Sequence, residues 1–380
     1  MDSVFESLLW ASLILVAYTF CGYPLLLALW SRLKPQALIT RAPITPAVSI
    51  VIAAWNEAPR LVARINNCLE QRYPSDRLEI IIVSDGSTDD TFSVVSAFDH
   101  RRVRLVQLEK REGKAAALNA GVSTAEGEIV VFADARQRFA PDAVLQLVAN
   151  FSDSSVGAAS GELILEDEPC RGKSVGVGLY WKLEKWIRRK EATIDSVIGA
   201  TGAIYAIRRA LYQPLPPGII LDDVMTPMRI VMSGYRVIFE SRAQAYDQLS
   251  GDACREFSRK VRTLTGNYQI LAQLPDLVNP RRNRLFIQYM SHKVCRLAVP
   301  FALILVFLGS LLSREGVALY LLTMQVIGYA LAFTGWVFSR IGVRERVTSA
   351  AWAFVLLNAA ALVGAFRYVA GSHDLWRKTY

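Results

Sequence analysis

Apolar runs that end in polar tips pattern the first part of the chain. In Glu128-Ile129-Val130-Val131-Phe132-Ala133-Asp134-Ala135-Arg136 the apolar residues follow one another without a gap and meet a carboxylate at Asp134. Leu78 to Val83 ends the same way, in Ser84-Asp85-Gly86-Ser87-Thr88-Asp89-Asp90, and Val48 to Ala54 ends in Trp55-Asn56-Glu57. A strand with one wet face alternates apolar and polar residues. These runs do not alternate, so they read as strands of a parallel sheet covered on both faces. Polar residues at the carboxyl ends of such strands mark the edge where open α/β sheets bind ligands, and a nucleotide site is the expectation.

Between the runs the apolar period changes. Glu57 through Arg72 carries Leu61, Ile65, Cys68 and Leu69 at helical spacing, and Tyr73-Pro74-Ser75-Asp76 turns the chain into the second run. Asp89-Asp90 can cap a helix Thr91–Phe98, and Val103–Gln107 is a short third strand. This β-α-β-α-β alternation predicts a parallel sheet with right-handed crossovers. Glu112-Gly113-Lys114-Ala115-Ala116-Ala117-Leu118-Asn119 reads as a glycine turn opening an alanine-rich helix. A lysine at a helix start opposes the helix dipole unless it faces an anion. Further on, Val224–Ser233 reads as a helix with Asp222 and Asp223 at its head.

Longer apolar runs lie at the two ends: Leu8–Trp30, then Leu297–Leu312, Val317–Phe338 and Ser349–Ala370. With 52% hydrophobic residues and a mean hydropathy of +0.26, the chain is too apolar for an ordinary soluble enzyme. No small-residue cleavage site follows the first run, so it reads as a retained anchor. The expected division is an anchor over 1–32, a catalytic domain over 33–290 entered through a linker with Pro35, Pro43 and Pro46, and a region of about three spans over 291–380. Asp2 and Glu6 precede the first run while Arg32, Lys34 and Arg41 follow it, which places the central domain in the cytoplasm beneath the cell (inner) membrane. Arg340, Arg344 and Arg346 then fall inside as well; Arg377 and Lys378 fall outside, against the rule, so the last span is the weakest of the four.

The net charge of +9 is accounted for by these inside loops and by basic residues beside apolar segments at a lipid surface. Nucleic acid is not an expected partner, because no motif for it occurs. Cys21, Cys68, Cys170, Cys254 and Cys295 show no metal-ligand spacing and read as free thiols. Two segments near 176–190 and 255–275 mix lysine and arginine with apolar residues, the first with tryptophan and the second with the arginines of Arg255 to Arg262. In the first, Tyr180, Trp181, Leu183, Trp186 and Ile187 interleave with Lys182, Lys185, Arg188, Arg189 and Lys190. Both read as helices lying on anionic lipid. His292, alone before the second span, is given no catalytic part.

In order and rough spacing, Ala54-Trp55-Asn56-Glu57, Ser84 to Asp89, Gly113-Lys114, Phe132-Ala133-Asp134, Gly199 to Arg209 and Leu221-Asp222-Asp223 resemble the family 2 glycosyltransferases. The likeness runs from about residue 47 to 265. The flanking spans resemble the membrane-embedded branch, which includes cellulose, hyaluronan and poly-N-acetylglucosamine synthases and the ceramide glucosyltransferases. It implies an α/β fold of the GT-A type, a Rossmann-like nucleotide-diphospho-sugar transferase domain joined to transmembrane α-helices. It further implies that Ala54, Asn56, Glu57 and Asp85 hold uracil and ribose, with Lys114 near the nucleotide. Asp134 matches the first carboxylate of the family's Asp-x-Asp motif, at the diphosphate and its Mg²⁺ or Mn²⁺ ion; Arg136 stands where the second would be, leaving Asp134 the metal ligand and Arg136 a guanidinium for the phosphates. Asp223, aided by Asp222, matches the general base, and Gly202, Arg259 and Arg262 fall at the acceptor and diphosphate. In Arg255 to Thr263, which takes the place of a Gln-x-x-Arg-Trp motif, Arg259 replaces glutamine and Thr263 replaces tryptophan.

The implied activity is an inverting transfer from a UDP-sugar, giving a β-linked product, to a growing extracellular polysaccharide, with export subunits as candidate partners. The altered arginine motif keeps a second reading close, the transfer of one sugar to a lipid acceptor. A third, a non-catalytic nucleotide-binding regulator of a polysaccharide synthase complex, draws its support from Arg136. The residues do not identify the sugar.

Overall fold

The computed structural model describes residues 2–34, 39–98, 100–166, 175–248, 253–313, 316–343 and 345–371, with the side chains of 2–5, 175–181 and 253–256 set aside. Cys170, Arg344, Arg377, Lys378 and the linker residue Pro35 lie outside these ranges, as do the side chains of Tyr180, Trp181, Cys254 and Arg255. The runs that open the chain form β1 (Val48–Ala54), β2 (Leu78–Asp85), β3 (Val103–Leu108) and β4 (Ile129–Asp134). They pair in parallel in the order β3-β2-β1-β4. Both faces are covered, as the lack of alternation requires. Ile50, Ile52, Ile80, Ile82 and Val131 pack against helices Ala58–Leu69 and Ala143–Val148. Val51, Ile81, Val83, Val130 and Phe132 pack against helices Lys114–Thr124 and Asp222–Met232. Each such side chain removed from water contributes about 1.5–3 kcal/mol, whereas an unpaired carboxylate there would cost more than one of them returns. Strands β2 and β4 accordingly stop at Asp85 and Asp134.

The chain winds outward from β1 to β3 and then crosses back to place β4 on the other side of β1. That reversal opens a crevice beyond the carboxyl ends of β1 and β4, where Ala53 and Asp134 stand in register. Beyond β4 the expectation of a parallel sheet needs correction. Strands β5 (Arg138–Phe139), β6 (Val156–Glu166), β7 (Ile204–Arg208) and β8 (Arg236–Gln248) complete an eight-stranded sheet in the order β3-β2-β1-β4-β7-β6-β8-β5. Here β7 runs antiparallel to both β4 and β6, and β8 runs parallel to β6.

Among the described residues four helices are long and apolar enough to cross a membrane: Glu6–Leu33, Phe286–Leu312, Gly316–Arg340 and Arg346–Val369. Even 24 residues at a 1.5 Å rise extend about 36 Å, longer than a hydrocarbon core of about 30 Å. The first two exceed the apolar runs that announced them, and each contains a π-turn, Tyr18–Gly22 and Met290–Val294. The two amphipathic segments form helices Val175–Ile194 and Ala253–Gln273. Both pack against Arg346–Val369, and the first also against Tyr23–Leu33. Ile187 and Ile194 are buried with Tyr23 and Leu27, so protein covers apolar residues that the sequence pattern assigned to lipid.

Candidate active site

A cavity of about 520 Å³ opens at the β1–β4 crevice, within the size range of small-molecule sites. Trp55 and Glu57 from the end of β1, and Asp134 and Arg136 from the end of β4, form one wall. Glu184, Lys185 and Arg188, with Arg259 and Arg262, form the other. Thr201, Gly202, Asp222 and Asp223 lie between them. Strand ends and helix faces distant in sequence thus bring Glu57, Lys114, Asp134, Arg136, Gly202, Asp222, Asp223, Arg259 and Arg262 to one space.

Gly113 opens the lysine helix at φ +96°, a conformation that a side chain would strain. It delivers Lys114 between two carboxylates, 3.1 Å from Asp134 Oδ1 and 3.3 Å from Asp222 Oδ1. Burial alone would lower the lysine's pKa. Asp134, Asp222 and Asp223 outweigh it and raise the pKa above the usual range. The anion that the helix start demanded is therefore supplied by the protein itself.

The adjacent aspartates have different surroundings. Asp222 is buried, tied to Lys114 and approached by the Tyr205 hydroxyl at 3.5 Å. Burial pushes its pKa up to about 6; Lys114 opposes that rise, and Asp223 and Asp134 add to it. Asp223 is half-buried and faces the cavity. Its backbone carbonyl accepts from the Ala200 amide at 2.6 Å. A Cβ on Gly202 would lie 2.8 Å from Asp223 Oδ2, so only glycine leaves room for that carboxylate. The helix starts at Asp222 itself, which puts both acids in its first turn, where the dipole favours negative charge.

At β4, Arg136 forms an ion pair with Asp247 of β8, and Gln137 donates to the same oxygen at 3.0 Å. Where the resemblance implied a second carboxylate, a guanidinium anchored from across the sheet thus lines the cavity. Among the described residues no three His, Cys, Asp or Glu side chains gather as a metal-ion group. Asp134, 39% exposed, remains open to an ion carrying other ligands.

The other residues expected at the nucleotide are placed differently. Ala54 is buried within β1. Asn56, at φ 52°, accepts from the Thr88 amide at 2.8 Å and joins the two strand-end loops. Asp85 is buried, and its oxygens accept from the amides of Glu112 and Gly113 at 2.7 and 2.9 Å. These three stand behind the cavity wall and shape the loops that form it. Trp55, quoted in the motif but not singled out, is the ring that faces the space, with the Arg111 guanidinium stacked at 3.8 Å.

Sequence reasoning also missed Glu162, Glu184, Lys185 and Arg188. Lys185 and Arg189, read as lipid-facing, pair with Glu162 at 2.7 and 3.3 Å, and Arg188 donates to Thr201 Oγ1 at 2.9 Å. Their carboxylate and hydroxyl partners lie on β6 and in the loop after the helix, and no periodicity in the sequence signals either contact.

Sheet order, crevice and acidic helix head together are those of a GT-A fold. The chain carries a glycosyl transferase family 2 domain, matched over residues 49–213. It is 23% identical to the poly-beta-1,6-N-acetyl-D-glucosamine synthase of Staphylococcus aureus (strain COL) over 248 residues, 64% of this chain and 59% of the relative. The enzyme of the same name from Staphylococcus epidermidis is 23% identical over 229 residues, 59% of this chain and 55% of the relative. The aligned part thus spans somewhat over half the length of these relatives. Among solved structures, the mannosyltransferase PcManGT from Pyrobaculum calidifontis, in complex with GDP-Man and Mn²⁺, aligns with a TM-score of 0.73 and 24% identity, covering 95% of this chain and 99% of that one. This likeness shows the fold.

Proposed function

We propose that the protein is an inverting membrane glycosyltransferase that moves a sugar from a UDP-sugar to a growing polysaccharide at the cytoplasmic face. The observation that carries this reading is the division of labour between the adjacent aspartates. Asp222 is locked to Lys114, while Asp223 faces the cavity beside Gly202. Asp223 takes the proton of an acceptor hydroxyl as its oxygen attacks the sugar's anomeric carbon. The bond to the diphosphate breaks on the opposite face, UDP departs, and an α-linked donor becomes a β-linked product. Trp55 offers a stacking wall for the base, and Arg136, Arg259 and Arg262 place guanidinium groups for the departing diphosphate.

Asp134 would be the protein ligand of a Mg²⁺ or Mn²⁺ ion, the low-protein coordination such ions accept. When bound, the ion supplies further charge neutralisation to the diphosphate. Arg32, Lys34 and Arg41, which follow the first span, support a catalytic domain on the cytoplasmic side of the cell membrane. The staphylococcal synthases favour a polysaccharide acceptor and make UDP-N-acetylglucosamine the first donor to try. Transfer to a lipid is the second reading, favoured by Thr263 in place of an aromatic acceptor platform and by cavity walls built on membrane-packed helices. The deciding experiment incubates full-length protein in lipid with labelled UDP-sugars, with and without a chelator. Label in large material supports the polymerase, and label in the organic extract supports the glycolipid enzyme. Absence of UDP release with every donor overturns both and leaves the regulator.

A further inference from the structure

A second polar cluster lies behind the cavity, where the first two spans meet helix Val175–Ile194. His292, in the π-turn Met290–Val294, has a side chain 4% exposed and a carboxylate partner at each ring nitrogen. Its Nδ1 lies 2.8 Å from Glu191 Oε1 and its Nε2 lies 3.0 Å from Glu184 Oε2. Glu191, with no exposed side-chain surface, also accepts from the Tyr23 hydroxyl at 2.6 Å. Glu184 forms an ion pair with Arg296 and lines the cavity. The Tyr18 hydroxyl and Ser291 Oγ, 2.6 Å apart, join the π-turn of the first span to that of the second. Paired π-turns at one contact are uncommon, and such turns concentrate at functional sites.

A neutral imidazole has one N–H and one bare nitrogen, so it can donate to only one of two carboxylates. Doubly protonated, the ring donates to both, and His292 and Arg296 then balance Glu184 and Glu191; a neutral ring leaves a buried carboxylate without its counter-charge. Burial would raise the Glu184 carboxyl, but Arg296 and His292 outweigh it and hold the group well below the usual carboxylate range. The other charged groups here are Lys293 on the same span and Arg188 on the cavity-lining helix, and Lys293 is also coupled electrostatically to Asp223.

We propose that His292 is a positioning residue for transfer: as an imidazolium gripped by Glu184 and Glu191, it fastens the cavity-lining helix to the membrane spans. One helical turn past Glu184, Arg188 holds Thr201, next to the Gly202 that makes room for Asp223. The grip therefore acts on the wall beside the base and leaves the strand ends on the donor side untouched. A side chain that reaches only one of the two carboxylates keeps one of these bonds and loses the other.

The proposal rests on the transferase reading and is tested with full-length protein in lipid vesicles, with UDP-N-acetylglucosamine as donor and UDP as binding probe. H292Q should bind UDP within twofold of wild type yet transfer sugar at least tenfold more slowly. H292K, which carries a positive charge, should regain at least a third of wild-type transfer. E191Q, which keeps the side chain's shape but loses its charge, should bind UDP within twofold of wild type and transfer at least threefold more slowly. Transfer by H292Q or E191Q within twofold of wild type, or equal impairment of H292K and H292Q, overturns the grip. Should H292Q fail to fold, E191Q decides by its transfer rate against its UDP binding. A wild type that releases no UDP overturns the transferase reading and the grip together, whereas a failure confined to the variants overturns only the grip.

Discussion

The two walls of the cavity are held by different forces. The donor wall rests on strands buried on both faces, and its polar tips are tied by bonds of short sequence range. Asp85 bonds to amides 27 and 28 residues on, and Asn56 to one 32 residues on. The opposite wall rests on polar and charged side chains joined over long distances: His292 to Glu191 across 101 residues and Tyr23 to Glu191 across 168. Hydrophobic burial is indifferent to pH; buried ion pairs are not. The donor wall should therefore stay assembled under conditions that loosen its partner, and binding of nucleotide should be separable from transfer.

The largest effect expected from that separation is in D223N. Loss of the base should slow transfer by about 10²–10⁴-fold while UDP, measured by calorimetry, binds within about threefold of wild type. Parallel loss of UDP binding would break the division into walls. K114M should come next, because it leaves Asp222 and Asp134 without their shared cation. A drop in stability of about 3 kcal/mol at pH 8 is expected from breaking a buried pair. The drop should be smaller at pH 5, since removing the lysine raises the Asp222 pKa further and lets the residue protonate. Thermal unfolding at the two pH values reads both. The smallest effect belongs to D222N. In the folded chain Asp222 titrates near about 6, against 3.8 unfolded. Between those values the folded state holds a proton that the unfolded state has lost, so wild-type stability falls as pH rises from about 4 to about 6. D222N should flatten that slope, a difference on the order of 2–3 kcal/mol. An unchanged slope would place the titrating group elsewhere.

Much of the donor wall could be read from residues alone, because β1, β2 and β4 are mainly apolar without alternation and end in polar tips. The second half of the sheet was hidden for opposite reasons. Strand β6 opens with Val156-Gly157-Ala158-Ala159-Ser160-Gly161, small residues with little strand preference that fit only because β7 and β8 lie close on either side. Strand β8 carries Arg236, Glu240, Arg242 and Asp247, which look solvated until Arg41 is found on Glu240 and Arg136 on Asp247. The acidic helix head was legible by resemblance, but which aspartate is locked and which open depends on Lys114, about a hundred residues upstream. His292 looked like an isolated histidine because both of its partners lie on a helix a hundred residues earlier, whose charges were read as facing lipid.

The link from Tyr18 to Ser291, 273 residues apart, bears on how the protein is made. A ribosome delivers the first span and the complete donor wall long before Ser291, His292 and Arg296 emerge. Until the second span reaches the bilayer, the first has no histidine to meet at Glu191, and the cavity has one finished side. The nascent chain can thus acquire a nucleotide-binding surface early, whereas the wall proposed to face the acceptor closes only once the C-terminal spans are being inserted.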